Sequence, residues 1–206
     1  MNHSRLRLNH PGVALQGMVE LPSSKSISNR VLIIRRLCAA GFEIENLSDA
    51  DDTVRLQQLL NRTGSMEDAG AGGTTFRFLL ALRALEKHQG VLTGSARLQE
   101  RTVGILVDVL REMGAVIDYL GKPGFPPLQL NGGALNGGAY TLDAGVSSQF
   151  ISALMLIGPS LPGGLVLHRS GRTVSGSYVE LTAAIMRSFG IEVTLTDHTI
   201  VVPESS

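Results

Sequence analysis

The sequence has a single cysteine, no surplus of charge of one sign and no long apolar run. Each of these features excludes a class of structure or of binding partner. Cys38 stands alone, which excludes an intrachain disulfide framework or a thiolate metal cluster and is typical of a reducing compartment. The 18 basic and 18 acidic residues cancel, so no overall field attracts a nucleic acid or an anionic membrane. No apolar run reaches the length of a membrane span, and residues 1–10 carry no signal-peptide core. We therefore expect a cytoplasmic protein.

Three stretches of the chain share one plan. Each contains two helices with apolar periodicity, and the second helix ends at a glycine turn. The helix pairs are predicted at 28–40 with 52–62, 74–88 with 101–113, and 147–158 with 177–189. Strands are predicted at 5–8, 19–21, 43–47, 90–93, 116–119, 128–130, 139–143, 165–168, 192–196 and 199–202. This interleaving predicts an α/β domain of three repeats, about 21–70, 71–130 and 131–206, with helices inside and sheets outside. The first repeat should be abbreviated, because little sequence separates Gly64 from the next helix.

Glycines and small polar residues open the first helix of each repeat, as SSKSISNR, GAGGTTFR and GVSSQF. One interpretation is ordinary capping, in which a hydroxyl satisfies a free backbone N–H group. Capping does not account for Lys25, Arg30 and Arg77, because cations are unfavourable in the first turn of a helix. Free N–H groups and added cations together favour a bound anion. By contrast, the acidic run Asp49–Asp52 is typical of an N-cap with favourable dipole charge, not of a metal site.

The segments LPSSKSISNR, GGTTFR, LTGSARLQERTVGILVDVLREMGA, GVSSQF and VSGSYVELTAAIMRSFGIEV resemble the 5-enolpyruvylshikimate-3-phosphate synthase family in order and spacing. The resemblance covers the whole chain. It implies a two-domain enzyme with three βαβαββ units in each domain and substrates bound in the cleft between them. The implied reaction moves the enolpyruvyl group of phosphoenolpyruvate onto the 5-hydroxyl of shikimate 3-phosphate and releases phosphate, in the pathway to aromatic amino acids. It implies no metal or organic cofactor.

The resemblance also implies roles for particular residues. Lys25 would lie between the two substrates and act catalytically. The residues implied to bind shikimate 3-phosphate are Lys25, Ser26, Arg30, Ser147, Ser148, Gln149, Ser175 and Tyr178. Those implied to bind phosphoenolpyruvate are Lys25, Gly73, Arg101 and Gln149, with Thr74 and Arg77 in support. Preorganised cations of this kind lower the barrier when charge develops on carboxylate and phosphate oxygens.

Two departures from the family pattern stand out. Ala71 replaces the usual asparagine, which removes a side-chain amide near phosphoenolpyruvate. The family's second domain, which carries the carboxylates for proton transfer, has no counterpart here, so we expect 21–206 to be the shikimate-3-phosphate-binding domain alone. Residues 1–20 would associate with that other domain. The expected partner is thus the complementary domain, with no nucleic acid or membrane, and the isolated chain should bind substrate weakly without turnover.

Two alternatives remain open. One is the related enolpyruvyl transferase that acts on UDP-N-acetylglucosamine, although Cys38 lies in a predicted helix and not on the glycine-rich loop that carries that relative's reactive cysteine. The other is an anion-binding or interaction domain that has lost the chemistry.

Overall fold

Helices and strands alternate along the chain close to the predicted positions. The computed structural model describes residues 12, 17–18, 20–38, 41–62, 64–143, 147–170 and 176–205. Its α-helices are α1 (Lys25–Leu37), α2 (Asp51–Asn61), α3 (Gly73–Leu85), α4 (Ala96–Gln99), α5 (Gly104–Met113), α6 (Ser148–Ile157) and α7 (Gly176–Ser188). Its strands are β1 (Met66–Asp68), β2 (Gln89–Thr93), β3 (Ala115–Tyr119), β4 (Leu128–Gly133), β5 (Gly138–Asp143), β6 (Leu165–Ser170), β7 (Thr194–Leu195) and β8 (Thr199–Val202).

Two mixed sheets of four strands each carry the second and third repeats. Their strand orders are β1-β2-β4-β3 and β5-β6-β8-β7. In each sheet the first pair is parallel and the other two pairs are antiparallel. The α/β class is therefore confirmed, and both repeats follow the order βαβαββ. Within the described residues the first repeat contributes α1 and α2 but no strand.

Several predicted elements differ from the structure. The sequence predicts no strand at Met66–Asp68, yet β1 pairs there in parallel with β2, so the second repeat begins before residue 71. Residues 43–47 form no strand, because Asn46 takes a left-handed φ of 54° within a turn. The predicted helix 101–113 begins only at Gly104, after the separate turn of α4. Residues 20–21 are not strand, while 5–8 and 19 lie outside the described residues.

The core of the domain is formed by α3 and α6. In α3, 11 of 13 residues are buried, and in α6 only Gln149 of the 10 residues is not. A helix that is buried on all sides belongs in the centre of a domain. The strands outside these helices bury alternate residues, as in the pattern of β4, so each sheet covers the helices with one face. The predicted arrangement of helices inside and sheets outside is thus confirmed.

A buried ion pair joins α3 to the edge of the first sheet. The Arg83 and Glu67 side chains are 0% and 2% exposed, and Arg83 Nη2 lies 2.6 Å from Glu67 Oε1. Arg83 Nη1 lies 2.6 Å from Glu86 Oε2, and Nη2 also donates to the Leu59 carbonyl of α2 at 2.7 Å. Arg36 completes the network through Glu86 at 2.7 Å, so two arginines balance two glutamates. This network explains why so short a strand as β1 forms at all.

We predict that Arg83→Met lowers the free energy of unfolding by about 3–5 kcal/mol, because it leaves Glu67 buried without a counter-ion. The matched control is Arg36→Met at the exposed end of the same network, for which we expect a loss below about 1 kcal/mol. Urea unfolding followed by circular dichroism measures both. Equal losses in the two variants would contradict a special role for the buried pair.

Candidate active site

The starts of α1 and α6 are capped by serine hydroxyls. Ser24 Oγ accepts from the Ile27 N–H, and Ser147 Oγ accepts from the Gln149 N–H, both at 3.4 Å. The N-cap of α3 is Gly72, whose backbone has no side chain to contribute. Ordinary capping therefore accounts for the hydroxyls at two of the starts but not for the glycines of the third.

An open depression of about 650 Å³ lies where these helices begin. The residues that line it are Lys25, Asp52, Ala71, Gly73, Thr74, Arg97, Glu100, Arg101 and Gln149. It brings together all four residues predicted for phosphoenolpyruvate, and Thr74 beside them. Three cationic side chains face two carboxylates there, so the depression carries a net positive charge. Such a surface at helix N-termini can hold a phosphate or a carboxylate.

Two guanidinium groups flank Gly73 so closely that a larger residue at this position would have to displace them. A Cβ atom at this position would lie 2.6 Å from Arg101 Nη1 and 2.8 Å from Arg77 Nη1. The Arg101 side chain is exposed and could move aside, but Arg77 is only 3% exposed. The glycine therefore lets two positive charges approach the first N–H groups of α3.

Arg77 is held in place by hydrogen bonds to the backbone and by an aromatic ring, and its supporting role stays a prediction. Nη1 donates to the Gly73 carbonyl at 2.9 Å, and Nη2 donates to the Thr102 carbonyl at 3.0 Å. Its guanidinium carbon lies 4.9 Å from the centre of the Phe150 ring. Burial, with a smaller contribution from the charge of Arg101, lowers the pKa of Arg77 to about 10. A neighbouring anion would oppose both effects.

Arg30 lies deeper than a surface ligand, at 3% exposure. Nε donates to Thr182 Oγ1 at 2.7 Å, Nη2 donates to Ser152 Oγ at 3.1 Å, and Nη1 donates to the Ser26 carbonyl at 2.8 Å. Nη2 also contacts the Tyr178 carbonyl at 3.3 Å. Burial lowers the pKa of Arg30 to about 10. The predicted role of Arg30 as a carboxylate ligand stays a prediction, and binding there would exchange some of these internal acceptors for the ligand.

Of the other residues predicted for shikimate 3-phosphate, Tyr178 lies near Arg30, and Ser148 and Gln149 lie at the start of α6. Tyr178 is 47% exposed, and its ring centre lies 5.9 Å from the Arg30 guanidinium carbon. Ser148 is buried and follows the capping Ser147. Gln149 Oε1 is buried and has no hydrogen-bond partner in the described part of the chain. Ser175 lies outside the described residues.

Three residues that contact predicted site residues were not assigned to the site from the sequence. Ser152 and Thr182 accept hydrogen bonds from Arg30, and both are polar residues inside otherwise apolar helices, a signal that was available. Asp52 forms an ion pair with Lys25, with Nζ to Oδ2 at 2.8 Å. An acidic N-cap of α2 was predicted and is wrong, because Ala50 is the N-cap and makes no side-chain hydrogen bond. The favourable dipole charge predicted with it is confirmed, since Asp51 and Asp52 occupy the first turn.

The described residues hold no group of three or more metal-ligating side chains. In the same ranges, no helix is long and apolar enough to cross a membrane.

The fold is that of an α/β domain in which cationic side chains gather where several helices begin. The chain belongs to the EPSP synthase (3-phosphoshikimate 1-carboxyvinyltransferase) family, whose model matches residues 10–68 and 55–205. The resemblance read from the sequence motifs is thereby confirmed.

Similar proteins match this chain over about half of their own length. A 3-phosphoshikimate 1-carboxyvinyltransferase of Bacteroides fragilis strain YCH46 is 43% identical over 189 residues, which is 91% of this chain and 46% of that protein. The protein of the same name from Idiomarina loihiensis is 40% identical over 205 residues, 86% of this chain and 48% of that one. The solved EPSP synthase of Acinetobacter baumannii shares the fold, with a TM-score of 0.75 and 23% identity over 92% of this chain and 47% of the other. The chain thus spans about half the length of the curated relatives it matches.

We predict that Gly73→Ala weakens the binding of inorganic phosphate roughly tenfold, because a methyl group would displace charged donors that bind an anion. Isothermal titration calorimetry with phosphate measures the change. The control is Gly104→Ala, which also replaces the first residue of a helix but whose Cβ meets nothing closer than 3.4 Å. Equal phosphate affinities in the two variants would contradict this assignment.

Proposed function

We propose that the chain supplies the shikimate-3-phosphate-binding half of an enzyme that transfers the enolpyruvyl group of phosphoenolpyruvate to the 5-hydroxyl of shikimate 3-phosphate. The observation that carries the proposal is the convergence of Lys25, Gly73, Arg101 and Gln149 on one depression, although they come from separate segments of the chain. Membership of the family supports the same reaction.

In the proposed reaction, the 5-hydroxyl of the shikimate ring loses its proton as its oxygen adds to the phosphate-bearing carbon of the phosphoenolpyruvate double bond, and the other carbon of that bond gains a proton. Loss of that carbon's proton and of phosphate then restores the double bond. Negative charge shifts among carboxylate and phosphate oxygens during both steps. Lys25, Arg101 and the N–H groups at the start of α3 would stabilise that charge.

The two substrates are both multiply charged anions, and their mutual repulsion must be offset for them to bind side by side. Lys25 is proposed to lie between them and contact both. Ser26, Arg30 and Tyr178 would hold the ring and carboxylate of shikimate 3-phosphate. The hydroxyls of Ser147, Ser148 and Ser175 would hold its phosphate, with Gln149 near both substrates. The buried, unpartnered Oε1 of Gln149 supports such a contact.

Proton transfer is proposed to come from the complementary part of the enzyme. Glu100 lines the depression, but neither it nor Asp49 or Asp51 matches a catalytic position of the family. Under this proposal 21–206 forms the substrate-binding domain, and 1–20 associates with the second domain. The lone Cys38 supports the cytoplasm as the compartment.

The alternative activity on a UDP-sugar is less well supported. Both relatives described above carry the 3-phosphoshikimate name. Cys38 is the C-cap of α1, at the opposite end of that helix from Lys25, so it lies about 20 Å along the axis from the depression. A cysteine at that distance cannot act on a substrate bound there.

We predict that titration of shikimate 3-phosphate into the purified chain gives measurable binding, and that Lys25→Met weakens it at least roughly tenfold through loss of a charge-assisted hydrogen bond. Calorimetry measures both affinities. Lys122→Met is the control, because Lys122 is exposed and contacts the Phe125 ring instead of the depression.

With both substrates present, the chain alone should release no inorganic phosphate. Phosphate release by the purified chain would contradict the proposal that it supplies half of the site. Shikimate 3-phosphate binding that is absent, or unchanged in Lys25→Met, would contradict the substrate assignment.

A further inference from the structure

Asp52 is the acidic residue most closely engaged in the depression. Its Oδ2 atom lies 2.8 Å from Lys25 Nζ, and its Oδ1 atom lies 2.9 Å from where a Cβ on Gly72 would be. The Asp52 carbonyl accepts from Thr75 Oγ1 at 2.9 Å, which fixes the backbone of α2 to α3. The carboxylate is thus held between the Lys25 ammonium and the N-cap of α3.

Two helix starts favour a negative charge at this point. Asp52 lies in the first turn of α2, and its carboxylate also approaches the N-cap of α3. Both helix dipoles stabilise an anion there. Lys25, in contrast, is the first residue of α1, where a cation is unfavourable. The ion pair with Asp52 therefore offsets the unfavourable interaction of the Lys25 charge with the start of α1 when no substrate is bound.

No other ion pair forms in the depression among the described residues. Arg97, Glu100 and Arg101 line the same surface without a salt-bridge partner within 4.0 Å in that part of the chain. Lys25 and Asp52 remain 48% and 24% exposed, and pairs this open to water are weak. A phosphate or carboxylate that also contacts Arg101 can compete for the ammonium.

We propose that Asp52 is the internal counter-ion of this site, a positioning residue that holds Lys25 over the start of α3 and yields its ammonium to the anionic substrate. This inference rests on the proposed function, because the exchange needs an anion. An ammonium has three N–H donors, so a single carboxylate leaves donors free to meet the incoming oxygens. Substrate binding then replaces the Asp52 carboxylate by a substrate oxygen as the negative partner of Lys25, without a large movement of the Lys25 side chain.

The lysine content of the chain allows a direct test by NMR. Its lysines are Lys25, Lys87 and Lys122, so selective ¹⁵N labelling of lysine gives three ammonium signals. A carboxylate-bound ammonium exchanges its protons with water more slowly than a free one. We expect a sharp Lys25 signal in the unliganded chain, its loss in Asp52→Asn, and its return in Asp52→Glu. Lys25→Arg assigns the signal, and Lys87 is an exposed internal reference.

The second arm of the test measures the affinity for inorganic phosphate. If Asp52 competes with the anion, Asp52→Asn should bind phosphate roughly fivefold more tightly, since a like charge near the ligand is removed. Asp51→Asn is the matched control. It makes the same change of charge in the same turn, but Asp51 is exposed and forms no ion pair with a described residue. We expect a smaller gain for Asp51→Asn and an unchanged Lys25 signal.

The outcomes separate this inference from the proposed function. A Lys25 signal that Asp52→Asn leaves unchanged, or phosphate affinity that is equal or weaker in that variant, overturns the counter-ion role. If no variant binds phosphate, phosphoenolpyruvate or shikimate 3-phosphate, the proposed function fails and the counter-ion exchange fails with it. Normal substrate binding with an unresponsive Lys25 signal would instead leave the proposed function standing and overturn only the role of Asp52.

Discussion

The packing of α3 against α6 is the contact on which the rest of the structure depends. Both helices are buried along nearly their whole length, so neither can slide or turn without exposing apolar surface. Small and polar residues open both helices, with Gly73, Thr74 and Thr75 at the start of α3 and Ser148 and Gln149 at the start of α6. Because α1 packs beside them with its own basic start, Lys25, Gly73 and Gln149 meet at a single point. The position of the depression thus follows from the core.

The site carries positive charge that the chain itself only partly neutralises. Arg30 and Arg77 are buried among helices, and the loss of water lowers the pKa of each. Carbonyl and hydroxyl oxygens accept from most of their donors but bring no full negative charge, and Arg77 Nε is buried without a hydrogen-bond partner in the described part of the chain. The contrast with Arg83 is informative, since two glutamates surround it and that network neutralises itself. The Arg83 cluster is thus neutral within itself, whereas Arg30 and Arg77 have no carboxylate partner among the described residues.

Local sequence patterns predicted the helices and strands whose residues show a regular apolar period. Apolar periodicity located α3 and α6, and alternation located β2, β5 and β8. The strand β1 was not predicted, because Met66–Asp68 has no apolar alternation. It is held in place by the ion pair of Glu67 with Arg83 and by its parallel pairing with β2. The residues that bind the Arg30 and Lys25 side chains were not predicted either, for a related reason. Asp52 lies 27 positions from Lys25, and Thr182 lies 152 positions from Arg30, and only the tertiary fold brings each pair together. Motif resemblance identified the basic residues, and the structure supplied the residues that hold them.

The arginines of the site stack on aromatic rings that belong to the following repeat. Arg30 lies 5.4 Å from the ring centre of Phe78, and Arg77 lies 4.9 Å from that of Phe150. A side chain that is stacked and hydrogen-bonded has already given up its rotational freedom during folding. An anion that meets such a side chain does not have to order it, so little conformational entropy is lost on association. Most of that loss would fall on the exposed side chains of Lys25 and Arg101, so the cations that line the depression are adaptable while the buried arginines near it are rigid.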